Sequence, residues 1–131
     1  MVLSVMMDQR SRQEEWMDRP DVSRVELAQA LEDIAWVNRN LGGYKIVTDA
    51  VAELIRPEFP GAEPARRFSV LDIGTGMGDI PVQLADWGRK QGVELTITAV
   101  DNNPVIAAEA ARHTAAHPGI TVREADAFHL N

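Results

Sequence analysis

Cysteine is absent from the 131-residue chain, which removes disulfide stapling and thiolate metal sites together and fits a reducing compartment. Long apolar runs are lacking too. None approaches the ~20 residues that a membrane-spanning helix needs, and the short apolar start MVLSVMM has no basic segment before it, as a secretory signal would. Cytoplasmic residence is therefore the expectation, with no membrane partner. Positive charge is scarce as well: 13 basic residues stand against 20 acidic ones, for a formal net charge of -7. A surface of that sign repels polyphosphate, so nucleic acid is excluded as a partner class. What is present is an ordinary globular composition, 45% hydrophobic and 25% charged, enough for a buried core in one domain.

Apolar residues in 22–41 recur at three- and four-residue intervals, Leu27, Leu31, Ile34 and Leu41 joined by Ala28 and Ala35, and so define one face of a helix. Asp21 or Ser23 can cap its start and Gly42-Gly43 ends it. A second stripe, Tyr44, Val47, Val51, Leu54 and Ile55, runs until Pro57 stops it. Residues 1–58 thus read as an N-terminal helical segment. The stretch RPEFPGAEPARR has prolines and glycine without periodicity, which makes 59–67 a linker ending in a solvated pair, Arg66 and Arg67. Trp16, Trp36 and Trp87 are expected to pack against apolar neighbours.

From residue 68 the pattern alternates. FSVLDI reads as a short buried strand, 79–90 as a helix, ELTITAV as a strand, 104–117 as a helix and ITVREA as a third strand. That alternation implies βαβ crossovers and a parallel sheet, an α/β fold.

The sharpest chemical signal is VLDIGTGMGD, in which an apolar strand ends in Asp72 and a loop follows with glycine at every second position. Gly74, Gly76 and Gly78, with Thr75 between the first two, suit a loop whose backbone comes close to a ligand ahead of a helix N-terminus. Asp79 and Pro81 fit the first helical turn as cap and rigid starter. A dinucleotide fingerprint wants a third glycine at position 79, where Asp79 stands. Asp72 would also be unwelcome beside a pyrophosphate. S-adenosylmethionine (SAM) offers an ammonium, a carboxylate and a sulfonium but no phosphate, and these departures favour it over NAD.

At these residues the sequence resembles the class I SAM-dependent methyltransferases. The resemblance implies the first three strands of a Rossmann-like methyltransferase sheet over 68–131, preceded by the helical pair. It implies that the loop wraps the methionine part of SAM, that Asp101 and Asn102 in AVDNNP stand at the ribose, and that Asp126 and the Ala127 N–H in EADAF reach the adenine. Each acid has a plainer role available: Asp72 as a loop brace, Asp101 as a helix cap, Asp126 as a turn residue. The segment ALEDIAWVNRNLGGYKIV is similar to the helices before the loop in small-molecule methyltransferases of the ubiquinone, menaquinone and polyketide type. By that likeness Tyr44 and Lys45 are candidate acceptor-pocket residues, with core packing the alternative for Tyr44.

The activity implied is methyl transfer to oxygen, carbon or nitrogen of a small-molecule acceptor, with no catalytic residue identifiable. A non-catalytic SAM-binding module and an NAD-dependent oxidoreductase are the rival classes. His113 and His117 are one helical turn apart, but nothing completes a metal site, and none is expected. Nothing read here supplies the fourth strand of the resembling fold, which pairs with the first. The expectations that follow are an open edge at residues 68–73, homo-oligomer formation through that edge or a sheet face, and no methyl transfer by this chain alone.

Overall fold

The computed structural model describes residue 13 and residues 15–19, 21–55 and 66–130; most of the expected linker lies outside them. The elements are helices α1 (Arg24–Asn40) and α2 (Gly43–Leu54), strand β1 (Arg67–Ile73), helix α3 (Asp79–Gln91), strand β2 (Glu94–Asp101), helix α4 (Pro104–His113) and strand β3 (Ile120–Glu124). The strands form one parallel sheet in the order β1-β2-β3, with Val70 opposite Ile97 and Ile97 opposite Ile120. This is the expected α/β architecture.

Helix α1 starts at a capping box: the Ser23 hydroxyl accepts from the Glu26 N–H, and the Glu26 carboxylate accepts from the Ser23 N–H at 3.0 Å. The Ser23 hydroxyl, which donates to the Glu26 carboxylate at 2.7 Å, and then the Ser23 N–H hold the Glu26 carboxyl below its ordinary range. Gly42, at φ 81°, ends α1 and opens α2, a conformation that costs glycine nothing. The buried row of α1 is Leu27, Leu31 and Ala35. Ile34 and Leu41, expected on that face, are exposed, because the buried row follows a four-residue spacing and they flank it. Leu54 of α2 is likewise exposed, while Val47, Val51 and Ile55 pack inward.

The main core lies between the sheet and the helices α2 and α3. Leu84, Val93, Leu95 and Ile97 are buried there, with Phe68, Val70, Trp87 and Ile120 against them. Burying each such side chain contributes about 1.5–3 kcal/mol. Trp87 packs as expected; Trp16 and Trp36 are exposed instead. A second cluster, Leu27, Leu31 and Ile106 with Met77, binds α1 to α4 and to the loop after β1. Arg24 adds an ion pair to Glu109 at 2.8 Å, and Arg24 and Arg112 together hold the Glu109 carboxyl below its usual range.

FSVLDI is not buried throughout: Phe68, Val70 and Asp72 turn toward the helices, whereas Leu71 and Ile73 are exposed on the other face. The helices of the core pack on the face that carries Phe68, Val70, Leu95 and Ile97, and the opposite face of β1 is exposed, so the strand alternates. It begins at Arg67, whose guanidinium meets Glu94 at 2.9 Å, so that residue belongs to the sheet instead of the linker. Helix α4 ends at His113, not at 117; Pro118 disfavours helix at the residue before it, and residues 114–116 form a turn.

Candidate functional site

The carboxyl ends of three parallel strands lie side by side, the usual ligand crevice of an open α/β sheet, and the loops that leave them are tied together. The N–H groups of Gly74 and Thr75 both donate to the Val100 carbonyl at 2.9 Å. Asp101, nearly buried, joins the three ends: Oδ2 accepts from the Gly76 N–H at 3.2 Å, Oδ1 accepts from the Asn103 N–H at 3.0 Å, and its carbonyl accepts from the Ala125 N–H at 2.9 Å. Asn103, not Asp101, caps α4 by accepting from Val105 and Ile106. Asn102 is exposed between them.

The three loop glycines do three different things. A Cβ on Gly74 would meet nothing within 4 Å, so its backbone faces open space. On Gly76 it would come within 3.3 Å of Leu31, and on Gly78 within 2.7 Å of the Thr114 methyl. Gly74 alone leaves room for a ligand to approach; the other two let α1 and α4 close against the loop.

Asp72 is half-buried, and neither its Oδ2 nor the buried Thr75 hydroxyl has a hydrogen-bond partner among the described residues. Burial, opposed by the neighbouring Thr75 hydroxyl and reinforced by the nearby Asp79 and Asp101 carboxylates, raises the Asp72 carboxyl above its ordinary range. Asp126 is exposed: its oxygens meet the Phe128 N–H and His129 Nδ1, each at 2.9 Å, and those bonds lower its carboxyl. It caps a short turn over Ala127–His129, so Ala127 follows it directly and is exposed.

Asp79 was expected to cap α3. Gly78 holds that position instead. The buried Asp79 carboxylate turns to the N-terminal helices, where Oδ2 accepts from the Tyr44 hydroxyl at 2.9 Å and from Asn38 Nδ2 at 3.2 Å. Nothing in the sequence marks this pairing across 35 and 41 positions. Tyr44 lines a groove of about 460 Å³ between α1 and α3, with Trp36, Arg39, Met77 and Asp79. Lys45 is exposed and paired with Asp49, away from that groove. His113 Nδ1 lies 3.0 Å from the Met77 carbonyl, while His117 faces Asp86, so the two histidines serve different neighbours.

Burial, then the hydrogen bond to Asp79 and its charge, push the Tyr44 hydroxyl up from 10 to about 12. Because the folded value exceeds the unfolded one, this stabilising contribution is complete below pH 10 and is lost as pH rises toward 12. Tyr44 is the single tyrosine, so alkaline difference absorbance reports it alone. The expected midpoint in the folded protein is about 12; a folded-state midpoint at the value found in denaturant would contradict the bonding described.

No protein-family model matches the chain, and no curated protein does. Solved structures do. A protein of Methanococcus maripaludis assigned as an S-adenosyl-L-methionine-dependent methyltransferase superposes with TM-score 0.60 at 15% identity, over 93% of this chain and 48% of its own. The DszA carbon methyltransferase superposes with TM-score 0.57 at 13% identity, over 84% of this chain and 30% of its own. The chain thus has a partial Rossmann-like methyltransferase fold and spans about half of one of these relatives and under a third of the other.

Proposed function

We propose that the chain binds SAM along the three strand ends and is the cofactor-holding part of a methyltransferase acting on a small molecule of phenol, quinol or polyketide type. The observation that carries the reading is the loop itself. It has an open approach at Gly74, beside an Asp72 carboxylate oxygen that has no hydrogen-bond partner among the described residues. A half-buried carboxylate with one unsatisfied oxygen asks for a further donor or a cation, and the methionine ammonium of SAM is both. Two further carboxylates, Asp79 and Asp101, add to the negative field at Asp72. A cationic ligand suits that field better than a pyrophosphate does.

SAM when bound supplies an activated methyl group, and the protein's part is binding and alignment. Asp72 would take the ammonium and Gly74 would admit the chain of the cofactor. Asp101 would accept from the ribose hydroxyls: each carboxylate oxygen has two lone pairs and spends one on a backbone N–H, so capacity remains. Asp126 and the Ala127 N–H would meet the adenine edge. The acidic surface argues against a nucleic-acid acceptor.

Calorimetric titration tests the cofactor reading. Binding of SAM and of S-adenosylhomocysteine, with none of NAD, is expected. Affinity should fall as pH drops through the raised Asp72 range, since the protonated carboxyl no longer pairs with an ammonium. Binding of NAD in preference to SAM would reject the reading.

A further inference from the structure

We propose that Tyr44, helped by Asn38, is a positioning residue of the cofactor site: it latches the α1–α2 hairpin onto Asp79 and so holds the glycine loop in its receiving shape. The inference rests on the cofactor reading above, and it gives Tyr44 a different part from that of an acceptor-pocket residue.

The hairpin meets the loop at three successive points. Leu31 lies against Gly76, with 3.3 Å to the position of a Cβ there. Met77 enters the cluster of Leu27, Leu31 and Ile106. Asp79 receives Tyr44 and Asn38. The first two contacts are apolar and non-directional, so they hold the hairpin near the loop without fixing its register. Hydrogen bonds to a charged, buried acceptor are directional, and they set the register.

Asp79 is also committed to this task. It stands in the first turn of α3, behind the cap residue Gly78, and it is only 8% exposed. Both donors to its Oδ2 come from the hairpin, Tyr44 from α2 and Asn38 from α1. Displacing the hairpin would strip a buried carboxylate of these donors, a penalty that discourages separate movement of hairpin and loop. The Tyr44 hydroxyl, carried by α2, lies 3.3 Å from the Ala35 carbonyl as well, so it meets α1 and α3 at once. Two segments that move together respond together: a ligand that favours the ordered loop must tighten the hairpin by the same factor.

The test uses the full chain with S-adenosylhomocysteine as probe, combining calorimetric affinity with amide hydrogen exchange across α1 and α2, free and bound. Tyr44→Phe keeps the ring and removes the hydroxyl. It is expected to bind about tenfold more weakly, through the smaller fraction of loop in the competent state, and to lose most of the ligand-induced slowing of exchange that the wild type displays. Asn38→Ala, which removes the longer bond, is expected to give a smaller change of the same kind and serves if Tyr44→Phe does not fold. Lys45→Ala should match the wild type. Equal affinity of wild type and both variants would overturn the latch and leave the cofactor reading intact. Weaker binding with undiminished slowing of exchange would also overturn it, by making Tyr44 a direct ligand contact. Failure of the wild type to bind would reject the cofactor reading and the latch with it.

Discussion

Gly74→Ala is expected to abolish cofactor binding while leaving most of the folding stability, and Gly78→Ala to do the reverse, lowering stability by about 2–5 kcal/mol. Both glycines have positive φ, 72° and 78°, so both substitutions carry about 1–2 kcal/mol of backbone strain. Their surroundings separate them. The new methyl at Gly74 enters open space, harmless to the fold but standing where a ligand's main approach would be. At Gly78 it would sit 2.7 Å from the Thr114 methyl, with Ala110 just behind. Thr114 cannot turn away cheaply, since it is buried and its hydroxyl donates to the Ala110 carbonyl at 2.9 Å. Overpacking of that kind adds about 1–3 kcal/mol. Denaturant unfolding and calorimetric titration of the two variants check the separation. Equal stability losses would mean that the loop answers to strain alone, and tight binding by Gly74→Ala would remove the open approach from the cofactor site.

The same loop indicates how far the sequence could be read. Glycine at every second position after an apolar strand announced a close approach of backbone to something, and the parallel sheet followed from the alternation of periods. Which neighbour each glycine admits was not legible, because Leu31, Thr114 and open space are set by tertiary packing across dozens of positions. The helix faces were half legible for a related reason. A three- and four-residue repeat marks a wide stripe, but α1 buries only Leu27, Leu31 and Ala35, and Ile34 and Leu41 fall outside the contact. Apolar character tells where a side chain could be buried, not whether a partner surface reaches it. Asp79 is the instructive miss. In sequence an aspartate opening a helix reads as a cap; in the fold Gly78 takes the cap position and two distant donors take the carboxylate. The position of Asp101 at a strand end was legible, but its bond to Gly76 depends on how the first loop folds back over the second strand.

That bond makes Asp101 the position where stability and ligand affinity should fail together. Asp101→Ala removes the acceptor for the Gly76 N–H and for the Asn103 N–H, and an unsatisfied buried donor costs about 1–3 kcal/mol. The expected loss is about 2–5 kcal/mol of stability, concentrated where the glycine loop meets the end of β2. Asp101→Asn keeps the shape but has one acceptor oxygen where two backbone donors converge, so a smaller loss is expected. Affinity alone cannot then separate a ribose contact from a collapsed loop, and a cofactor analogue can. S-adenosylhomocysteine lacking one ribose hydroxyl should bind the wild type at least about tenfold more weakly than the intact compound, the lower range for a hydrogen bond to a charged group. Asp101→Asn, whose side chain carries no charge, should distinguish the two compounds much less. If the wild type binds both equally, Asp101 does not hold the ribose and acts only as the knot that ties three strand ends. If Asp101→Ala unfolds at the same denaturant concentration as the wild type, the knot itself is refuted, and the loop owes its shape to the Val100 carbonyl that receives Gly74 and Thr75.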